Sequence, residues 1–313
     1  MGSQIGEPDE ISVLVTGFGP FREQYPINPS WEIASRLPSH LPPLRAKDPN
    51  SRHAAAVLPT VRISVHPEPI RVNYKVVRGL APSFYNAGHR YDVVIHIGMA
   101  GPRPFYSIER RGHRDGYKHP DVDGELIDQD EDREKDDWPW RGLPEEIETD
   151  LDIDQILTLW KGHSSEDDDV RISEDAGHYL CDFIYYSSLS ELWKQQRPRK
   201  ALFLHVPADA SPDNIERGRD LTLNLIRSIV ESEVLAKNKP LETTTKVLSN
   251  TYYLPINMCR KATCGTCKKT SWWGCGSHIS SVIDNVPQSE RCECEPKVEV
   301  GGVSYPPMAA SPN

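Results

Sequence analysis

The first 258 residues of this chain contain one cysteine, Cys181, in the stretch SEDAGHYLCDFIYY, while the other six crowd between Cys259 and Cys294. A lone thiol can act as a nucleophile if a base takes its proton and a third group holds that base in place. Two further residues have suitable types and settings. Glu109 lies in GPRPFYSIERRG, downstream of the apolar run DVVIHIG, and His205 closes the run ALFLHV just before Pro207. Reactive groups of α/β sheets sit where strands end, and all three positions follow that rule. In this arrangement His205 accepts the thiol proton and returns it to a leaving amine, while Glu109 sets the tautomer and orientation of the imidazole. Ala176 and Gly177 precede Cys181 and allow a tight turn. A cysteine near a helix start is expected to ionise readily, its pKa falling from about 8.5 to roughly 3.5–7.5.

Residue type alone leaves plainer roles open. A single buried cysteine is most often a small hydrophobe. A histidine on an apolar strand is usually a hydrogen-bonded core residue, and the chain has eleven histidines. Glu109, beside Arg110 and Arg111, also suits a surface ion pair.

The second concentration of reactive residues is MCRKATCGTCKKTSWWGCGSHISSVIDNVPQSERCEC, residues 258–294. Cys264 and Cys267 form a CxxC pair, Cys275 and His278 a CxxH, and Cys292 and Cys294 a CxC. Paired soft donors at such spacing suit structural zinc, which takes four ligands. The expected set is Cys264, Cys267, Cys275 and His278, with Cys292 or Cys294 as the competing ligand. Trp272 and Trp273 are expected to pack in a core too small to stand without metal.

Apolar runs at 11–18, 61–65, 91–101, 169–173 and 201–206 read as strands, and residues 53–60 also suggest extended structure. Helix signals alternate with them. Asn28 caps a helix over 27–38 with Pro29 in its first turn; 72–88 is largely helical; a helix begins near Gly177; Ser211 and Pro212 open one carrying Leu221, Leu225 and Ile229 on one face. The alternation predicts an α/β fold, a three-layer α/β/α sandwich around a mostly parallel mixed sheet, with a small cysteine-rich C-terminal segment. Residues 1–236 form the main domain, 237–257 a polar linker and 258–313 the cysteine-rich segment. Residues 122–154 are strongly acidic and are expected to form a solvated surface loop.

With 26% charged residues and a net charge of -10, the chain is not expected to bind nucleic acid, whose phosphates demand a basic surface. No apolar run reaches membrane-spanning length, so no membrane partner is expected. MGSQIGEPDEIS lacks the basic and apolar regions of a secretory signal, and Gly6 breaks the myristoylation pattern. A cytoplasmic location follows, where thiols stay reduced. Nothing in the sequence sets the oligomeric state.

Residues 11–230 resemble the pyroglutamyl-peptidase I family of cysteine peptidases. The resemblance rests on VTGFGPFREQYPINPSW (15–31), VVIHIGMAGPR (93–103) running on to SIERRGHRDGYKHPDVDG (107–124), SEDAGHYLCDFIYYSSL (173–189) and LFLHVP (202–207). It implies hydrolysis of the amide bond after an N-terminal pyroglutamate, with pyroglutamylated peptides as partners. It assigns Cys181 as nucleophile, His205 as base and Glu109 as the orienting acid, with no cofactor for catalysis. Phe18 and Phe21 match the residues that hold the lactam ring, and the resemblance adds Asn28 and Met99 as further substrate-binding candidates. An apolar slot of this kind accepts a neutral ring and rejects a charged amino terminus, which is costly to desolvate. Arg22 and Glu23 depart from a glycine common in the family, and Met99 stands where some members carry glutamine. Two rival readings follow from these features: a hydrolase for another small acyl group, and an inactive adaptor whose zinc-binding tail recruits a partner. The TSWWGCGSH segment (270–278) resembles a small free-standing cysteine-rich family, which implies no activity.

Overall fold

A computed structural model describes residues 10–21, 23–43, 58–86, 91–101, 103–127, 138–238, 260–273, 279–284, 286–300 and 303–309. The chain divides into two compact units, residues 1–241 and 242–313.

The main sheet of the larger unit is built from β1 (Ile11–Gly17), β2 (Val61–Val65), β3 (Val93–Met99), β4 (Tyr106–Glu109), β7 (Val170–Ser173) and β8 (Ala201–Val206). Across the sheet these six strands follow the order β2-β1-β3-β8-β4-β7. All neighbours run parallel except β4 and β8, which are antiparallel. The central strands are apolar because both faces are covered. Val13, Val15, Ile95, Ile97, Leu202, Leu204 and Ile108 point to one side. Leu14, Val94, Ala201 and Phe203 point to the other. That period of two is the pleat, and it fixes which residues share a face.

Three helices cover the first face: α1 (Pro29–Ser35), α3 (Ile153–His163) and α5 (Pro212–Asn238). Asn28 caps α1, its side chain accepting from the Ser30 amide at 3.1 Å. Buried Trp160 of α3 donates through Nε1 to the Leu221 carbonyl of α5 at 2.9 Å, so the two helices lock together. The second face carries α2 (Tyr74–Leu80), which continues as a 3₁₀ turn, and α4 (Leu180–Lys194). A two-stranded ribbon of β5 (Arg111–His113) and β6 (Glu146–Glu148) also packs on α4. Helix α4 is therefore buried on most sides, from Phe183 to Leu192.

One sequence expectation changes and another is met only in part by the described residues. Residues 53–57 lie outside the described residues, and 58–60 lead into the strand that starts at Val61. The acidic stretch 122–154 is not simply a solvated loop. Ile127, Trp140, Ile147 and Leu151 are buried, β6 alternates exposed glutamates around Ile147, and Asp152 caps α3 through the Gln155 amide. Among the described residues of this stretch the charges are exposed, while the buried apolar residues between them close the core. Residues 239–257 of the expected linker lie outside the described residues.

The smaller unit pairs β9 (Arg260–Thr263) with β10 (Thr270–Trp273) and β11 (Val298–Val300) with β12 (Val303–Tyr305), beside the short helix α6 (Ile279–Ile283). Its core is Trp272, Ile279, Val282, Ile283 and Tyr305, and the Trp272 indole donates to the Pro306 carbonyl at 2.7 Å. Trp273 is only half-buried.

Candidate active site

Cys181 is the second residue of α4, reached from β7 through a turn in which Gly177 has φ +78°, a left-handed conformation that suits glycine. The helix begins at Leu180, three residues later than Gly177, and its first N–H groups have no side-chain cap. Asp182 fixes this end of the helix to the β5 ribbon. Its buried carboxylate accepts from the His113 amide at 3.0 Å, meets His113 Nδ1 at 3.2 Å and accepts from the Tyr117 hydroxyl at 3.3 Å.

Strand register brings the other two residues to the same place. His205 on β8 pairs with Gly98 on β3 and with Ser107 on β4. Cross-strand partners project to one face, so His205, Ser107 and Glu109 (two residues beyond Ser107) all point toward α4. A Cβ on Gly98 would lie 2.7 Å from the Cys181 sulfur and 2.5 Å from Phe203 Cζ. The missing side chain is thus the space the thiol occupies, against the strand next to His205. Glycine is required here by close approach.

The buried Glu109 carboxylate receives His205 Nδ1 on Oε1 at 2.7 Å. Arg103 Nη1 donates to the same oxygen at 3.0 Å, and the Ser107 hydroxyl lies 3.3 Å from it. Arg103 is itself held by the Ser107 hydroxyl and the Asp175 carbonyl, both at 3.1 Å. Glu109 Oε2 has no hydrogen-bond partner among the described residues. Glu109 is therefore no surface ion pair. It is a buried carboxyl group whose one engaged oxygen serves an imidazole and a guanidinium together.

The sulfur departs from the sequence expectation. Burial, reinforced by the negative charges of Glu109 and Asp182, pushes the Cys181 thiol up to about 12, although the residue keeps partial solvent contact. Desolvation opposes the helix N-terminus here, and the surroundings of the sulfur favour the thiol over the thiolate. Among the described residues no hydrogen bond joins it to His205.

A second strand histidine shows what an unreactive one looks like here. His96 is fully buried on β3, with Nδ1 2.8 Å from the Thr16 hydroxyl and Nε2 2.7 Å from that of Ser188. Burial lowers its pKa to about 3, so it stays neutral. Both of its ring nitrogens meet hydroxyls, where His205 meets a carboxylate.

A pocket of about 290 Å³, including its open mouth, adjoins the thiol. It is lined by Phe18, Phe21, Asn28, Val72, Met99, Tyr179, Leu180 and Cys181. All four substrate-binding candidates drawn from the family resemblance, Phe18, Phe21, Asn28 and Met99, are among them. Asn28 has a positioning role, since its amide donates to the Gly19 carbonyl at 2.9 Å while its oxygen caps α1. Phe21 stacks on Tyr25 with ring centroids 6.1 Å apart. Arg22 lies outside the described residues. Sequence reasoning missed Val72, Tyr179 and Leu180 on the wall, and Gly98, Arg103 and Ser107 behind the triad. An arginine six residues before Glu109 was the one available signal.

The model of the pyroglutamyl peptidase family matches residues 81–220. Pyroglutamyl-peptidase 1 of Mus musculus is 33% identical over 235 residues, covering 72% of this chain and 90% of that protein. The Homo sapiens protein of the same name is 32% identical over the same length. The chain belongs to the pyroglutamyl peptidase family. The fold is also that of pyrrolidone carboxyl peptidase from Thermococcus litoralis, with a TM-score of 0.55 at 20% identity over 72% of this chain and 96% of that one. Residues 258–302 separately match a domain of unknown function (DUF8730).

In that C-terminal unit the thiols of Cys264, Cys267, Cys292 and Cys294 lie within 4.8 Å of one another, a grouping able to hold a metal ion. Cys275 and His278, expected as ligands, lie outside the described residues. No described helix is long and apolar enough to cross a membrane.

Proposed function

We propose that the larger unit is a cysteine-type omega-peptidase that removes pyroglutamate from the amino terminus of peptides, with Cys181, His205 and Glu109 as its triad. The observation that carries this reading is the 2.7 Å contact between His205 Nδ1 and buried Glu109, on the sheet face against which the Cys181 sulfur packs, with Cys181 in the wall of an aromatic-lined pocket. The lactam ring enters between Phe18, Phe21 and Met99. Val72 and Leu180 complete an apolar wall that gives a protonated amino terminus nothing to replace its water.

Because the resting thiol is neutral, its proton moves to His205 as the sulfur attacks the carbonyl carbon. Glu109 accepts from Nδ1–H and stabilises the imidazolium that forms. The uncapped N–H groups at the start of α4 are available to the developing oxyanion. The imidazolium then protonates the leaving amine, and an acyl-enzyme remains. Water, deprotonated by His205, attacks the thioester; the thiol leaves and free pyroglutamate is released. A reducing compartment such as the cytoplasm keeps the sulfur in the form this sequence needs.

Release of a fluorescent amine from a pyroglutamyl amide tests the reading. The wild-type chain is expected to cleave it and to spare the matching alanyl amide, while Cys181→Ala is expected to be inactive. An inactive wild type, or a Cys181→Ala variant that retains activity, would overturn it.

A further inference from the structure

Two stretches of the smaller unit that are distant in sequence are brought together by its strand pairing. Thr263 and Thr270 pair at the mouth of the β9–β10 hairpin, so Cys264 begins the connecting turn. The turn closes on itself: the Cys264 amide donates to the Lys269 carbonyl at 2.9 Å, and the Lys268 amide donates to the Cys264 carbonyl at 3.0 Å. Lys268 adopts φ 61°, the left-handed conformation that completes so tight a bend. The chain then returns alongside β10, where the Cys292 amide donates to the Thr270 carbonyl at 2.8 Å. Cys264 and Cys267 on the turn therefore face Cys292 and Cys294 on the returning segment.

We propose that these four cysteines form a structural zinc site with four thiolate ligands. The Cys264 and Cys294 sulfurs are 3.9 Å apart. A disulfide needs about 2.05 Å. Two thiolates on one tetrahedral zinc, each about 2.3 Å from the metal, stand about 3.8 Å apart. Cys264 and Cys292 are buried and Cys267 is exposed, so the site sits at the edge of the small core. Four soft donors leave no open position for substrate, which makes the site structural rather than catalytic. Lys268 and Lys269 in the turn offset the net negative charge of a zinc with four thiolates. Among the described residues the core beside it is five buried side chains, too few to hold a unit of this size, so the metal is what fastens the hairpin to the returning segment.

Elemental analysis of the full chain, purified and then loaded with zinc chloride and desalted, tests the site. One zinc per chain is expected, falling to background in the Cys292→Ser/Cys294→Ser double variant and retained in Cys275→Ser and in His278→Ala. Zinc retained by the double variant but lost from either of the other two would overturn the ligand set. Iron or no metal in the wild type would overturn the proposal itself. Hydrogen exchange on the wild-type chain tests the role without a variant that fails to fold. Chelation is expected to strip protection from residues 260–309 and leave 10–238 unchanged. Protection at 260–309 that survives complete zinc removal would overturn the structural role. Neither measurement depends on peptidase activity.

Discussion

Replacing Glu109 by glutamine separates charge from geometry at the triad. In a serine-protease triad the equivalent carboxylate-to-amide change leaves the histidine in the wrong tautomer, at a cost of about 10⁴ in kcat. Here Oε1 faces three groups: His205 Nδ1 at 2.7 Å, Arg103 Nη1 at 3.0 Å and the Ser107 hydroxyl at 3.3 Å. Arg103 has no lone pair to offer, so the amide oxygen of the variant must stay at the Oε1 position and its NH₂ must go to the Oε2 position. The tautomer is preserved and only the charge is lost. Two unit charges about 4 Å apart interact by about 4 kcal/mol at an effective dielectric constant of about 20. At about 1.4 kcal/mol per decade, that charge supports the imidazolium by a factor of about 10²–10³. Glu109→Gln is therefore expected to lower kcat/KM for a pyroglutamyl amide by about 10²–10³-fold with KM nearly unchanged. Adding Arg103→Met removes the donor that pins the amide oxygen, and a further loss is expected as the amide flips. Steady-state kinetics on the two variants, with circular dichroism to verify folding, provide the assay. A Glu109→Gln variant within threefold of wild type would refute the reasoning, since the carboxylate would then not be supporting an imidazolium. A double variant more active than the single one would refute the pinning role of Arg103.

The protonation state of the nucleophile gives a second expectation. With the Cys181 thiol pushed up to about 12, inactivation by iodoacetamide should be slow at neutral pH and rise continuously through about pH 9, because each step upward adds thiolate. A plateau reached below about pH 8 would instead mean that His205 holds the sulfur as an ion pair before substrate arrives. The third concerns Gly98→Ala. The new methyl would meet the Cys181 sulfur at 2.7 Å and Phe203 Cζ at 2.5 Å, displacing the nucleophile while leaving the strand ladder intact. A misplacement on the order of 1 Å costs about 10² in rate, so kcat should fall at least that far, alongside an overpacking cost of about 1–3 kcal/mol. Wild-type turnover in Gly98→Ala would contradict the thiol's position against β3.

Much of this protein is decided locally and could be read from residue order. The apolar runs that became β1, β3 and β8 are buried on both faces, which needs no knowledge of neighbours. Asn28 before Pro29, and Ser211 before Pro212, mark helix starts because a proline in the first turn removes a donor that would go unpaired, and Asn28 also supplies an oxygen to the Ser30 amide. Cys181, His205 and Glu109 stood out as candidates by type and by where strands end, with plainer roles left open, whereas Phe18 and Phe21 were marked only by the family resemblance.

Distance along the chain hid the rest. Glu109 and His205 are 96 residues apart, and only the antiparallel insertion of β4 beside β8 sets their carboxylate and imidazole in contact. Ser107 and Arg103 reach the same carboxylate from only two and six residues before it; the arginine was a local signal, while nothing local marked the serine. Trp140 looked solvated because its neighbours are acidic, yet it packs against Phe183 and Tyr186 of α4, a helix far along the chain. In the smaller unit, spacing favoured the nearby Cys275 and His278, whereas the return of the chain brings Cys292 and Cys294 to the CxxC turn. The protonation of Cys181 was the furthest from reach. A helix start argues for thiolate, burial argues for thiol, and which prevails depends on how completely the tertiary packing excludes water from the sulfur.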